Sequence, residues 1–174
     1  MYPNAQEELP EGIREPLGRY VQIAVFADAA HADDLVTRRS TSGFIVFVNG
    51  TPIRWYSKRE NTVEGSTYGS EFIAMRIATE MIIALRNDLR MLGIPLVGPA
   101  SLFWDNQSVV INSTVPSSML KKKHNSICYH KVRESIAAGI LRIAKEPTET
   151  NLADILTKPL AGPRFKYLIS HILW

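Results

Sequence analysis

The chain has 174 residues, 45% of them hydrophobic, which is long enough for one globular domain with a sizeable core. Its 20 Lys and Arg outnumber its 17 Asp and Glu, and the net charge of +3 suits a polyanionic partner without requiring one. A single cysteine excludes an intramolecular disulfide framework, and the absence of a signal-peptide core or a ~20-residue apolar span predicts an intracellular domain with no membrane partner.

The start of the chain differs in pattern from the remainder. Residues 1–19 carry prolines at positions 3, 10 and 16 and show no apolar periodicity, which predicts an extended N-terminal arm or linker. We expect the folded domain to span residues 20–174. Its first element, about residues 20–29, is a nearly continuous apolar run, which is typical of a buried central strand.

A hairpin and a long helix come after this strand. Two β-rich runs within residues 43–60 are joined by Asn49-Gly50, a strong signal for a two-residue hairpin turn. From Ser66 to about Leu92 the apolar residues are spaced by threes and fours, and Gly93 then provides a stop signal. This segment is predicted to be the principal helix packed on the sheet.

The second half of the chain continues as an α/β pattern. It predicts a fourth strand at residues 101–106, helices at 107–114 and 126–138, and a fifth strand at 140–147. A loop from Thr148 to Thr150 should lead into a short final helix that opens at Asn151. The expected fold is therefore α/β, with a five-stranded mixed sheet flanked by helices.

Four acidic residues occupy similar positions in these elements. Asp28 and Asp105 end the first and fourth strands, Glu71 lies in the first turns of the long helix, and Asp154 lies near the start of the last one. Ligands of open α/β sheets bind at such strand ends, and Mg²⁺ prefers carboxylate oxygens. Taken singly, each acid could instead be a turn residue or a helix cap.

Five blocks of sequence resemble, in order, the signature blocks of copia-type retrotransposon ribonuclease H. They read ADAAHADDLVTRRSTSGF, PIRWYSKRENTVEGSTYGSEFIA, WDNQSVV, KKKHNSICYHKVRE and NLADILTKPL, and the resemblance spans roughly residues 23–160. It implies a ribonuclease H-like fold, whose first three strands are antiparallel and whose last two run alongside the first. It also implies that Asp28, Glu71, Asp105 and Asp154 are the catalytic residues and metal ligands.

The same resemblance implies an activity and a setting. The enzyme would be an endoribonuclease that cleaves the RNA strand of RNA–DNA hybrids with two Mg²⁺ ions, for which Mn²⁺ could substitute. Its biological partner would be an upstream polymerase domain of the same polyprotein, acting in reverse transcription. Presence of the full set of acids favours an active enzyme, because a binding-only domain has no chemical need for four mutually repelling carboxylates. The oligomeric state is left open.

The sequence also departs from the family pattern. The family commonly has D-A-D-x-A-G after the first strand, whereas this chain has Ala30 in place of the second acid and Asp33 in place of glycine. Cellular ribonucleases H have a mobile histidine before the last helix, and the corresponding loop, residues 147–151, contains none. A histidine that assists turnover would have to come from elsewhere or be absent.

Basic and polar residues beside these blocks predict two nucleic-acid-binding surfaces, although such clusters are often only solvated. One is the acid-free segment 117–133, and the other consists of Arg38, Arg39, Lys58 and Arg59, with Trp55 and Tyr56 nearby. The residues predicted to contact nucleic acid are Arg38, Arg39, Ser66, Asn106, Gln107, Lys121, Lys122, Lys123, His124, His130 and Lys158. A zinc site at Cys128 is a poor alternative, because the chain has one thiol and no second Cys/His pair.

Three other functions are compatible with the sequence. The chain could be a catalytically silent, domesticated nucleic-acid-binding module of the same fold. It could be a different nuclease or an integrase, which would cut duplex DNA or transfer strands. It could also serve a structural role in a polymerase assembly, which would give a stable complex without independent turnover.

Overall fold

The computed structural model describes residues 2–115, 117–118 and 126–173. Five strands form one sheet in the order β3-β2-β1-β4-β5, in which β1, β2 and β3 are antiparallel and β1, β4 and β5 are parallel. The strands are β1 (Ile23–Ala30), β2 (Thr41–Val48), β3 (Thr51–Arg59), β4 (Ala100–Trp104) and β5 (Leu141–Lys145). The helices are α1 (Thr67–Met91), α2 (Gln107–Thr114), α3 (Ser126–Ala137), α4 (Asp154–Thr157) and α5 (Gly162–Ile169), with a 3₁₀ turn at Thr148–Thr150. The predicted five-stranded mixed sheet is confirmed.

Both faces of the sheet are covered, and β1 shows how the sequence produces this. Val25 and Ala27 are fully buried in the larger core beneath α1, α2 and α3. Ala24 and Phe26, which alternate with them, pack in a smaller core with residues of α4 and α5. Because side chains of a strand alternate between faces, Asp28 falls on the face that α4 covers.

The hairpin between β2 and β3 has the predicted turn. Asn49 and Gly50 both have positive φ angles, 49° and 80°, as a two-residue turn of this type requires. The Asn49 side chain also accepts a hydrogen bond from the Gln22 backbone amide at 2.9 Å. This contact ties the turn to the start of β1.

The long helix α1 begins and ends close to its predicted bounds. Ser66 is its N-cap, and its side chain accepts a hydrogen bond from the Gly69 amide at 3.2 Å. At the other end the helix stops before Gly93, which has a φ of 75°. Phe72, Met75 and Ile82 are fully buried against the sheet, as their helical spacing predicts.

The end of the chain differs from its prediction. The expected loop from Thr148 to Thr150 is a 3₁₀ turn, and α4 begins at Asp154 rather than at Asn151. Asn151 is fully buried, and its side chain accepts a hydrogen bond from the Ala153 amide and donates one to the Ala27 carbonyl, both at 3.1 Å. These bonds hold Asn151 outside the helix, and a second helix, α5, comes after α4.

Residues 2–19 contain no helix or strand, and they pack along the domain. Their main anchor is Glu7, whose carboxylate accepts hydrogen bonds from Arg86 and Arg90 near the C-terminal end of α1, at 2.5–2.9 Å. Further along, the amides of Leu17 and Val21 donate to the carbonyls of Gly93 and Pro95 at 2.7 and 2.9 Å. The domain boundary at residue 20 stays a prediction.

Glu7→Gln should destabilise the protein by about 3 kcal/mol at pH 7, because the buried Arg86 guanidinium loses its counter-charge. Burial raises the pKa of Glu7, but hydrogen bonds from Arg86 and Arg90 outweigh it and lower the pKa from 4.5 to about 2. The stabilisation is therefore complete above pH 4.5 and is lost as the pH falls towards 2.

Urea unfolding of the wild type and Glu7→Gln at pH 7 and pH 3 measures this effect. The difference in unfolding free energy should shrink at the lower pH. Glu8→Gln is the matched control, because Glu8 is the exposed neighbour of Glu7 and should leave stability within ~0.5 kcal/mol. A difference that does not change with pH would contradict the ion-pair explanation.

Among the described residues, no helix combines the length and the hydrophobicity that a membrane crossing requires.

Candidate active site

Three of the four predicted acids meet at one edge of the sheet. Carboxylate oxygens of Asp28, Asp105 and Asp154 all lie within 4.8 Å of one another. The strands β1 and β4 are parallel, with Phe26 opposite Phe103, so Asp28 and Asp105 come to the same edge two residues further along. Asp154 is the first residue of α4, which packs on the same face as Asp28.

The fourth acid, Glu71, lies beside this group and is held in place from β4. Its carboxylate accepts hydrogen bonds from Trp104 Nε1 at 2.9 Å and from Asn106 Nδ2 at 2.7 Å. Trp104 is fully buried in the core, and its ring nitrogen also fixes a site residue. Asn106 directly follows Asp105 and connects Glu71 to it.

Burial and mutual repulsion act on the ionisation of these acids. Burial raises the pKa values of Glu71, Asp105 and Asp154, and in each case the negative charge of Asp28 raises it further. Hydrogen bonds from Trp104 and Asn106 offset part of the rise at Glu71. A cluster whose charged form is disfavoured in this way is stabilised by positive charge placed among its oxygens.

Side chains from the end of α4 and from α5 supply some of that positive charge. Lys158 Nζ lies 2.8 Å from Asp154 Oδ1 and 3.4 Å from Asp28 Oδ2. Arg164 of α5 donates to Asp154 Oδ2, and Thr157 donates to Asp28 Oδ2. The orientations of Asp28 and Asp154 are therefore fixed by specific partners.

The donor set of this site fits Mg²⁺. All the candidate ligands are carboxylate oxygens, which this hard cation prefers, and three such ligands would leave coordination positions of the ion for waters and substrate oxygens. The ammonium of Lys158 already bridges Asp28 and Asp154, which shows that a cation is favoured between them. Asp28, Asp105 and Asp154 could hold a divalent ion directly, with Glu71 close beside Asp105.

Some known proteins are similar to this chain in sequence, and others are similar to it in fold. No family model matches the chain. The chain is 31% identical over 161 residues, 92% of its length, to the retrovirus-related Pol polyprotein from transposon RE1 of Arabidopsis thaliana. It is 30% identical over 89% of its length to that of transposon RE2 of the same plant, and 32% identical over 81% to that of transposon TNT 1-94 of Nicotiana tabacum. It spans only 10–11% of the length of these relatives.

Solved structures decide the fold. The chain superposes on ribonuclease H1 from Halobacterium salinarum with a TM-score of 0.60 and 16% identity, covering 78% of this chain and 94% of that one. For LC11-RNase H1 in complex with an RNA/DNA hybrid, the TM-score is 0.58 and the identity 18%, with coverages of 78% and 94%. The chain has the ribonuclease H fold. The resemblance to retrotransposon ribonuclease H is confirmed by homology to one segment of these Pol polyproteins.

Several residues predicted to bind nucleic acid surround the acids of this ribonuclease H fold. Asn106 caps α2 and bonds to Glu71, and Gln107 is the exposed first residue of α2. Ser66 caps α1, five residues before Glu71. Lys158 lies among the acids themselves rather than on an outer surface.

The other predicted contacts are more scattered. Arg38 and Arg39 are exposed in the loop between β1 and β2, and Arg38 has a φ of 55°. His130 is exposed on α3, where its Nδ1 lies 2.5 Å from the Tyr2 hydroxyl of the arm. Lys121, Lys122, Lys123 and His124 lie outside the described residues. A role in nucleic-acid binding stays a prediction for all of these residues.

Sequence reasoning missed three side chains in or beside this site. Thr157 and Arg164 orient Asp28 and Asp154. Ser70, the residue before Glu71, has its hydroxyl 2.9 Å from His31 Nδ1 and 2.8 Å from the Ser40 hydroxyl. The spacing of Thr157 from Asp154, one helical turn, was a usable signal. Nothing in the sequence signalled Arg164, because it comes from a separate helix.

Proposed function

We propose that this protein is an endoribonuclease that cleaves the RNA strand of RNA–DNA hybrids by metal-dependent phosphodiester hydrolysis. The observation that carries the proposal is the convergence of Asp28, Asp105 and Asp154 at the sheet edge of a ribonuclease H fold, with Glu71 alongside. These four residues are the proposed catalytic residues. The cofactor is proposed to be two Mg²⁺ ions, for which Mn²⁺ could substitute.

The proposed roles of the acids rest on their positions. When bound, the two ions would supply an activated water and stabilise the leaving oxygen. The charge of Asp28 acts on both Asp105 and Asp154, and Asp28 is the proposed ligand shared by both ions. Glu71 and Asp105 would serve the leaving-group side, and Asp154 the side of the attacking water. Trp104 and Asn106 keep the Glu71 carboxylate oriented towards the site.

The substrate and the biological setting are proposed from the net charge of the chain and from its homology to Pol polyproteins. A net charge of +3 favours a polyanion, and hybrid recognition through backbone shape and 2′-hydroxyls would be nearly independent of sequence. The structure of LC11-RNase H1, a protein of the same fold, has been solved in complex with an RNA/DNA hybrid. Homology to Pol polyproteins supports an intracellular role in reverse transcription beside an upstream polymerase domain, in an element of the copia type.

Cleavage of a defined substrate panel tests the proposal. Labelled RNA–DNA hybrid, single-stranded RNA and duplex DNA are incubated with the purified protein, in Mg²⁺ or in EDTA. We expect cutting of the RNA strand of the hybrid alone, and only with the metal. Hybrid binding without cutting would favour a silent binding module, whereas cutting of duplex DNA would indicate a different nuclease.

A further inference from the structure

The ammonium of Lys158 occupies a distinctive position in the site. It is the C-cap of α4, four residues after Asp154, and its side chain is one-third exposed while those of Asp28 and Asp154 are buried. Its Nζ bridges Asp154 Oδ1, at 2.8 Å, and Asp28 Oδ2, at 3.4 Å. Arg164, the other cation on Asp154, binds the opposite oxygen, Oδ2. Among the described residues, Lys158 is therefore the cation that lies between the two carboxylates.

From this geometry we propose that Lys158 is a positioning residue that competes with the divalent ion for Asp28 and Asp154. In the metal-free protein its ammonium holds the two carboxylates together against their repulsion. A divalent ion that binds both acids takes over this role and must displace the ammonium from at least one of them. The proposal rests on the proposed function only in assigning these acids as metal ligands.

The side chain of Lys158 suits such an exchange. A lysine ammonium is a compact charge on a flexible four-carbon stem, so it can leave one carboxylate without movement of the helix. Its partial exposure gives it space to move outward. Arg164, which donates to Asp154 and to the Thr148 carbonyl, is held at two points and stays in place. Once displaced, the ammonium would lie beside the substrate backbone, where the sequence predicted a nucleic-acid contact.

Removal of the ammonium should have two opposite effects. Without metal, Asp28 and Asp154 lose a shared counter-charge, so the protein becomes less stable. With metal, the ion no longer competes with a positive charge a few ångströms away, so it binds more tightly. We expect roughly a ten-fold gain in affinity, which is close to the effect of one unit charge at such a distance in bulk water and below its effect near a protein surface, because the displaced ammonium moves outward into solvent.

Magnesium titration without nucleic acid tests this inference. Backbone amide NMR shifts of residues 28 and 154 report Mg²⁺ binding to the wild type and to Lys158→Met, which keeps the stem and removes the charge. Lys158→Met should bind Mg²⁺ about ten-fold more tightly. Lys166→Met is the matched control, since Lys166 is exposed on α5, and its affinity should stay within about two-fold. Unchanged or weaker binding by Lys158→Met would overturn the proposal.

Thermal unfolding gives a second readout. Lys158→Met should melt below the wild type in EDTA and should gain more than the wild type when Mg²⁺ is added, because tighter binding stabilises the folded state more. Lys158→Gln, which also removes the charge, should shift the affinity in the same direction and covers the case in which the Met variant does not fold. Equal metal-induced shifts in wild type and variants would count against competition.

These measurements separate the inference from the proposed function. Tighter Mg²⁺ binding by Lys158→Met together with a wild type that cuts no hybrid would support competition and reject the nuclease. If the wild type cuts hybrid and Lys158→Met binds Mg²⁺ with unchanged affinity, the proposed nuclease activity stands. The proposed competition between Lys158 and the ion is then rejected.

Discussion

Asp28→Asn should lower hybrid cleavage by about a thousand-fold or more, because metal-assisted charge stabilisation is worth several kcal/mol of activation energy. Carboxylate oxygens of Asp28 lie within 4.8 Å of those of both Asp105 and Asp154, so its loss affects the whole cluster. The amide keeps the size of the side chain and relieves repulsion with Asp105. Folding should therefore survive, and hybrid affinity should change by less than about three-fold.

Initial cleavage rates and hybrid binding, measured on the same preparations, distinguish chemistry from recognition. Asp88→Asn is the matched control, since Asp88 is an exposed aspartate on α1 and its substitution should leave both quantities unchanged. A cleavage rate for Asp28→Asn near that of the wild type would reject the proposed site. Equal losses of binding and cleavage would instead indicate a role for Asp28 in holding the substrate.

Gly43→Ala should lower both stability and activity, although no catalytic group is changed. Gly43 pairs with Asp28 across β1 and β2, and a Cβ there would lie 2.6 Å from Thr157 Cγ2 and 3.0 Å from Leu156 Cβ. The added methyl must push α4 away from the sheet. We expect a loss of about 1–3 kcal/mol in unfolding free energy. Cleavage should fall up to ~100-fold, because displacement by about 1 Å is enough to misalign a site.

A double variant tests the cause of that loss. Thr157→Ser removes Cγ2, the nearest atom, and keeps the hydroxyl that donates to Asp28. Adding it to Gly43→Ala should restore much of the stability and activity, as measured by urea unfolding and by hybrid cleavage. Gly65→Ala is the control, because a Cβ there meets nothing within 4 Å. No recovery in the double variant would show that contact with Thr157 is not the cause.

Much of the fold was predictable because the sequence patterns are strong. The apolar run of β1, the Asn49-Gly50 turn and the Ser66 cap each carry a local signal that the structure confirms. The predicted start of α4 was wrong by three residues. Asn151 looked like the opening of a helix, but its side chain bonds to Ala27, a residue far away in sequence. No local pattern reveals such a contact.

The site was predictable in composition and less so in geometry. The order of motifs pointed to four acids, and three of them meet as expected. The bonds that hold Glu71 to Trp104 and Asn106 depend on how β4 lies beside α1, which spacing along the chain does not specify. The same is true of Lys158: its motif was visible, yet its position among the acids depends on the packing of α4 against β1.

The arm is attached at the end of α1 that is remote from the acids. Glu7 binds Arg86, which is 15 residues along the helix from Glu71, and at 1.5 Å per residue this is about 22 Å of helix axis. A tag, fluorophore or surface linkage placed next to Glu7 would therefore be kept at a distance from the acids. Immobilisation at that point of the arm should leave the proposed cleavage unhindered.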